Sequence, residues 1–362
     1  MTKNMRGVIS SYLPPGTGAV IDSLGEGHIH DSYVIRAKDA MGFRPLVLQR
    51  MNRHVFPNPE RVVQTVARVT EHLQQRARLE GRDETREVLR LAPTRNGDLW
   101  TVDEEGEIWR AFHWIAGALP IAVPDSPEKA REIGFAFGRF LLDVSDLPAD
   151  AMEPALPDLH DAASHVEALD AAARDDPLRR ASGVQKELAA IEARIHLTQA
   201  ARPELPVRLI HGDTKIDNVL FDVETEQSLC VIDLDTVMPG PAPIDIGDFL
   251  RSLVRRTLCP GTSGRQTALE YFAAGLAGYR DGAGGLLTAE EWEAVPDAVV
   301  TTAVTLAARF LRDHLLGDRY FRVECDGDNL RRCREQLFVV HWCRQHQIEL
   351  RDRLRRTVLE HE

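Results

Sequence analysis

The chain has 362 residues, 43% of them hydrophobic and 28% charged, with a formal net charge of −12. That length and apolar content can bury a large core and favours two or three structural units over one. The acidity excludes a role resting on broad contact with nucleic-acid phosphates, which needs a basic face; solubility accounts for it, and it also permits a cationic substrate.

The N-terminus, MTKNMRGVISSYLPPG, has no apolar stretch of the signal-peptide kind. Nowhere do about eighteen uncharged apolar residues run together, so a cytoplasmic protein without a membrane span is expected. The five cysteines, Cys230, Cys259, Cys325, Cys333 and Cys343, are odd in number and contain no C-x-x-C pair, which argues against a disulfide framework and a standard zinc site. His341, Cys343 and His346 would point in different directions from a helix and are not read as a metal site.

In chain order, AVIDSL, SYVIRA and RPLVLQRM are short apolar or alternating runs around the Gly-rich turn GEGHIHD. They read as a hairpin plus a third strand. A helix follows, with Pro57 and Pro59 where a first turn accepts proline and Val62, Val63, Val66, Val69 and Leu73 at helical spacing. Two more strands, around Trp100–Val102 and Glu107–Ile115, meet at the turn Asp103–Gly106. Together these form a small sheet with one helix over about residues 1–115, leaving 116–362 as a second unit.

From Ala116–Pro120 onward the composition shifts to Ala, Leu, Arg and Glu, predicting helices at about 127–145 and 158–200 and a mostly helical remainder. Val219–Phe221 and Leu229–Leu234 are short β-like runs separated by the polar turn Asp222–Ser228. The run Asp281–Gly285 reads as a loop between helices. There is no internal repeat.

The stretch LIHGDTKIDNVL, residues 209–220, sets His211, Asp213, Lys215 and Asn218 between apolar pairs, and Val231-Ile232-Asp233 ends the next apolar strand. Metal-assisted phosphoryl transfer needs this arrangement, because positioning the acceptor hydroxyl and neutralising phosphate charge supply most of the catalysis. Asp213 is placed as general base. Asn218 and Asp233 offer oxygen ligands to Mg²⁺, and Lys215 meets phosphate charge as a point cation. On an extended segment Asp233 and Asp235 share a face, so Asp235 is either a second metal or substrate contact or a surface acid at the strand end.

HGDTKIDN, VIDLDT and PIDIGD resemble the signature of the aminoglycoside phosphotransferase and choline kinase superfamily, relatives of the protein kinases. The resemblance implies a bilobal α/β (α+β) fold: a small antiparallel-sheet lobe, 1–115, that binds ATP, and a larger helical lobe, 116–362, with the catalytic and acceptor groups. It also implies Asp213 as base, Asn218 and Asp233 on magnesium, and Asp245 as a buried support below the catalytic loop. GHIHDSYVI, VLQRMNRHVFPNPE, IDLDTVMPG and RFLRDHLLGDRYF are more narrowly similar to bacterial N-acetylhexosamine 1-kinases, implying the anomeric hydroxyl of N-acetylglucosamine or N-acetylgalactosamine as acceptor.

The turn at Gly25, Gly27 and His28 lets backbone approach phosphate, though an ordinary tight hairpin would look the same. Where a protein kinase places a lysine on the third strand, this chain has Gln49 beside Arg50. The 1-kinases also carry Gln in this segment, and Arg50 either substitutes or faces solvent. His113–Gly117 joins the two lobes, so the resemblance puts Ile115 and Gly117 at adenine. Arg309 and Asp313 share a helix face and form either an i,i+4 ion pair or part of a sugar pocket with Tyr320. His28 and His30 are further candidates for that pocket.

The expected partner is a small-molecule sugar, with neither nucleic acid nor membrane. The rivals are phosphorylation of an aminoglycoside, choline or amino alcohol, and a non-catalytic nucleotide-binding module, the latter motivated by the absent lysine.

Overall fold

The computed structural model describes residues 3–24, 29–37, 44–121, 123–149, 152–195, 205–258 and 264–359. The chain divides into two compact units, Met1–Ala118 and Leu119–Glu362.

The first unit is built on an antiparallel sheet. Its strands are β1 (Ala19–Ser23), β2 (Asp31–Ala37), β3 (Leu46–Arg50), β4 (Leu91–Ala92), β5 (Thr101–Val102) and β6 (Ile108–His113). The order is β1-β2-β3-β6-β4, with β5 also paired to β6. Register sets Gln49 opposite both Ser32 on β2 and Arg110 on β6. Because side chains alternate across a strand, the two sheet faces carry different sets. Leu46, Leu48, Trp109 and Ala111 lie against α1 (Lys3–Tyr12) through Met5, Val8, Ile9 and Tyr12. Gln49 and Arg110 belong to the opposite face.

The sequence reading did not include α1, although Met5, Val8, Ile9 and Tyr12 follow helical spacing. The predicted helix is α2 (Pro59–Leu79), which starts on Pro59 and buries Val62, Val63, Val66, Val69 and Leu73. A single turn, α3 (Glu84–Glu87), capped by Asp83, leads to β4.

After β7 (Ala118–Pro120) at the boundary, the second unit is mainly helical. Its helices are α4 (Pro127–Asp143), α5 (Ala162–Asp175), α6 (Gln185–Glu192), α7 (Ala242–Leu258), α8 (Arg265–Ala283), α9 (Ala289–Glu293), α10 (Val295–Leu316), α11 (Asp328–Gln345) and α12 (Gln347–Leu354). None of the described helices is long and apolar enough to cross a membrane. Phe137, Phe249, Phe272, Leu253 and Leu311 are among the fully buried side chains of its core. Each contributes roughly 1.5–3 kcal/mol by leaving water.

Helices α4 and α8 approach to backbone contact. A Cβ added at Gly134 would lie 2.0 Å from the Gly275 carbonyl oxygen, and one at Gly278 would lie 1.9 Å from that of Arg131. This close seating fixes Phe137 and Phe140 of α4 edge-on to the His211 ring, at centroid distances of 5.8 and 5.3 Å.

Two short ribbons complete the unit: β8 (Val207–Ile210) with β11 (Met238–Pro241), and β9 (Val219–Asp222) between β10 (Ser228–Val231) and β7. The first ribbon brings the start of α7 back beneath the loop that follows β8.

Three expectations need correction. The predicted helix over 158–200 is broken: α5 ends at Asp175, capped by Asp176 in the left-handed region with φ 35°, and α6 begins only at Gln185. Pro177 is the reason, since the residue before proline is driven out of the helical region. The Asp281–Gly285 run is not a loop throughout. Helix α8 continues to Ala283 and stops on left-handed Gly284, because Gly282 seats against the Phe135 carbonyl, 2.2 Å from where a Cβ would be. The β-like run at 229–234 ends early, because Asp233 is left-handed (φ 66°, ψ 54°) and opens a short turn over Leu234–Thr236.

Candidate active site

The loop between β8 and β9 carries the residues predicted to do the chemistry, and one buried acid holds it. Asp245, in the first turn of α7 and 1% exposed, accepts hydrogen bonds from the His211 amide at 2.6 Å and the Gly212 amide at 2.9 Å. Thr214 Oγ1 donates to the Asp245 carbonyl at 2.5 Å. Burial pushes the Asp245 carboxyl up to about 7, against the opposing pull of the two amides. His211 is fully buried. Its Nδ1 accepts from the Asp213 amide at 3.2 Å and its Nε2 lies 3.0 Å from the Ile232 carbonyl. Burial lowers its pKa and keeps the ring neutral, so it splints the loop to the segment bearing Asp233.

Gly212 makes the turn possible. Its φ of +81° is left-handed, and a Cβ there would lie 2.4 Å from the Thr236 carbonyl oxygen. The next residue, Asp213, has its main-chain carbonyl held by Asn218 Nδ2 at 2.8 Å. Lys215 Nζ reaches Asp213 Oδ2 at 2.5 Å and Asp233 Oδ2 at 3.2 Å. Burial alone would raise the Asp213 carboxyl, but Lys215, His211 and Arg251 override it and hold it below the usual carboxylate range. Lys215 is pushed well above the ordinary lysine range: burial works against the ammonium, and Asp213 and Asp233 more than offset it. Asp213 is therefore an ionised carboxylate able to accept a proton.

Two carboxylates converging on one ammonium, with an amide side chain beside them, form a set of hard oxygen donors. That chemistry fits Mg²⁺, which takes one or two carboxylates and fills its remaining places with phosphates and water. Because Asn218 donates through Nδ2, its amide oxygen is left for such an ion. Among the described residues no three His, Cys, Asp or Glu side chains form a metal cage of their own.

Asp235 departs from its expected place. With Asp233 left-handed, strand alternation does not apply across Leu234, and Asp235 is buried, 4% exposed, rather than a surface acid. The Arg309–Asp313 ion pair is not made. The Asp313 carboxylate accepts from the amides of Arg319, Tyr320 and Phe321 and from Asn329 Nδ2, all at 2.9 Å, which locks the turn after α10. Arg309 instead donates to Tyr320 Oη at 3.1 Å and stacks over the Tyr320 and Phe321 rings at 5.4 and 5.5 Å. Arg309 and Tyr320 are thus brought together.

In the first unit, Gln49 Nε2 donates to Ser32 at 3.0 Å, and its Oε1 accepts from Arg110 Nε and Nη2 at 3.1 and 2.9 Å. Arg110, 1% exposed, is the buried cation on the sheet face where a kinase lysine would stand, and sequence reasoning passed over it. Arg50 points to the other face, half exposed and paired with Asp31. His30 Nδ1 accepts from the Asn52 amide at 3.1 Å, and the ring stacks on Phe56 at 5.4 Å. Ile115 is buried, and Gly117 is left-handed with φ 67°. Gly25, Gly27 and His28 lie outside the described residues.

Two further residues of the second unit were missed. His160, immediately before the α5 N-cap Asp161, has its pKa lowered by burial, against the opposing charge of Asp248. Asp248, one helical turn after Asp245, is buried and paired with Arg251 at 2.8 Å. No spacing marked His160, a lone histidine in PALPDLHD. Asp248 stands in the quoted PIDIGD, where helical periodicity sets it beside Asp245.

The sequence model of the phosphotransferase enzyme family matches residues 21–292. Among solved structures, an aminoglycoside phosphotransferase from Alicyclobacillus acidocaldarius is similar at TM-score 0.60 and 14% identity, covering 97% of this chain and 96% of that one. A spectinomycin phosphotransferase in complex with ADP and spectinomycin is similar at TM-score 0.57 and 12% identity, over 94% and 98% of the two chains. A choline kinase from Cryptosporidium parvum is similar at TM-score 0.56 and 10% identity, over 95% and 96%. At such identities the likeness speaks to the kinase-like fold. The family match spans most of the chain, the loop between β8 and β9 included, and this chain belongs to the phosphotransferase enzyme family.

Proposed function

We propose that the chain transfers the γ-phosphoryl group of ATP to a hydroxyl of a small sugar, the anomeric hydroxyl of an N-acetylhexosamine. The observation that carries the reading is Asp213, an ionised carboxylate on a loop splinted by Asp245, His211 and Asn218 and joined through Lys215 to Asp233. A base fixed in this way takes the proton of the acceptor hydroxyl as the phosphoryl group arrives, typically contributing about 10²–10⁴-fold in rate. Lys215 meets phosphate charge. Asn218 and Asp233 hold Mg²⁺ in this reading, and the ion neutralises charge developing between the phosphates. In the first unit, Gln49, Ile115 and Gly117 are the nucleotide contacts.

Arg309 and Tyr320 bind the acceptor, and the guanidinium favours a neutral hydroxylated molecule over an ammonium. The similarity to N-acetylhexosamine 1-kinases in IDLDTVMPG and RFLRDHLLGDRYF supports the choice of sugar. ADP release is measured against a panel of hexoses, N-acetylhexosamines, aminoglycosides and amino alcohols. Activity confined to cationic acceptors would remove the sugar reading. Asp213→Asn should retain magnesium–nucleotide binding by calorimetry and lose at least about 10²-fold in turnover on every acceptor. Undiminished turnover in that variant would sink the assignment of the base.

A further inference from the structure

Helix α10 ends by backbone alone. Gly317 is left-handed at φ 97°, and the Asp318 amide returns to the Asp313 carbonyl at 2.8 Å, which satisfies the helix end without any side chain. Side chains nevertheless converge from separate segments on the turn that follows. The Asp313 carboxylate takes the amides of Arg319, Tyr320 and Phe321. Asn329, in the first turn of α11 and 0% exposed, spends both hydrogens of its amide nitrogen on the same turn, donating to Asp313 Oδ2 at 2.9 Å and to Asp318 Oδ1 at 2.8 Å. The other Asp318 oxygen accepts from Arg180 Nη1 at 2.8 Å, and that nitrogen also donates to the His314 carbonyl at 2.7 Å. Arg180 lies between α5 and α6, where the Arg180 and Ala181 amides both donate to Asp176 Oδ1, at 2.7 and 3.0 Å.

Two carboxylates turned toward one point repel unless a donor stands between them. The Asn329 amide nitrogen is that donor, and Asp318 holds a left-handed backbone, φ 57°, to meet it. Tyr320 hangs from this clasp. Its amide is pinned by Asp313 at 2.9 Å, and its ring packs at 4.7 Å on Phe321, which packs at 4.6 Å on Phe310 of α10. Held at main chain and ring, Tyr320 presents its Oη to Arg309 Nη2 at 3.1 Å.

We propose that Asn329 and Arg180 are positioning residues for the phosphoryl acceptor, setting its KM by fixing where Tyr320 presents its hydroxyl beside Arg309. The inference rests on the reading of Arg309 and Tyr320 as acceptor contacts, and on no particular sugar. The clasp and the loop carrying Asp213 are different segments, so loosening the clasp weakens acceptor binding and spares the nucleotide.

The test is steady-state kinetics of the full chain on N-acetylglucosamine or, where that sugar is inactive, on the fastest compound of the acceptor panel. Tyr320→Phe should raise the acceptor KM about 3- to 10-fold, the loss of one hydrogen bond. Asn329→Asp keeps the side-chain shape and replaces the donor by a third carboxylate. It should raise the acceptor KM about 10-fold, with the ATP KM unchanged and little cost in kcat. In the Y320F background N329D should add much less than it does alone, since it acts through that tyrosine. Combining N329D with Asp318→Asn restores one donor between the two side chains and should recover part of the loss. A thermal melt reports folding. Should N329D fail to fold, Arg180→Gln at the partly exposed end of the clasp carries the same comparison, with a rise of about threefold.

An acceptor KM that Y320F raises and that neither N329D nor R180Q moves would overturn the positioning role and leave the acceptor reading standing. So would variants that lower Tm and kcat at unchanged acceptor KM, as a purely structural turn would give, or effects that add in full to Y320F. An acceptor KM indifferent to both Y320F and Arg309→Gln would overturn the acceptor reading, and this inference with it.

Discussion

Gly212→Ala puts the proposed role of the loop between β8 and β9 to its most direct geometric test. The residue sits at φ +81°, and the new Cβ would lie 2.4 Å from the Thr236 carbonyl oxygen. Side-chain Cβ atoms do not approach closer than 3.0 Å, so loop or partner must move by at least 3.0 − 2.4 = 0.6 Å. The left-handed backbone adds about 1–2 kcal/mol for an L-residue. Thr236 cannot yield freely, because its hydroxyl donates to the His211 carbonyl at 2.9 Å. The strain therefore passes along the chain to Asp213 and to the amides held by Asp245. Misplacing a catalytic group by about 1 Å costs about 10²-fold in rate. The expected result is kcat reduced about 10²-fold, with a Tm lower by roughly 2–6 °C. Coupled ADP release and a thermal melt measure the two. Gly183→Ala is the control, since its added Cβ meets nothing within 4 Å, and it should leave both values unchanged. Wild-type kcat and Tm in G212A would refute the claim that this turn positions the base.

Lys215→Met removes the cation that holds Asp213 low. At 2.5 Å that attraction is worth roughly 1.5 to 6 kcal/mol between aqueous and surface-protein dielectric. With the Asp213 and Asp233 side chains 29% and 36% exposed, the lower end applies. Losing the cation favours the protonated acid, so the acidic limb of the kcat/KM–pH profile should move up by about one unit; a limb that stays or moves down contradicts the assignment. Glu291→Ala breaks a buried bidentate pair, Arg208 Nε–Oε1 at 2.7 Å and Nη2–Oε2 at 2.8 Å, together with a capping box on Thr288. Denaturant unfolding should show about 3–5 kcal/mol lost. A loss under 1 kcal/mol would mean the pair is solvated in the folded protein.

Spacing alone marked the polar residues that the fold gathers on the loop between β8 and β9. His211, Asp213, Lys215 and Asn218 lie within one short segment, and chemistry at that range is set by a few backbone angles that glycine and the flanking strands dictate. The helical periodicity of α2 and the strand runs of the first unit were legible for the same reason, each being a local pattern of burial. What local pattern could not supply was the partner. Arg309 looked equally suited to Asp313 at i,i+4 and to Tyr320, and the choice fell to Tyr320 because three amides of the following turn claim the Asp313 carboxylate. The surface-acid alternative for Asp235 fell because one left-handed residue, Asp233, cancels strand alternation and Asp235 is buried, a conformation imposed by the surrounding fold. Gln49 revealed only the missing lysine; strand register, a long-range property, decided that Arg110 stands opposite it. The meeting of Gln49 with Arg110 joins strands about sixty residues apart in the chain, and only tertiary packing brings such groups together.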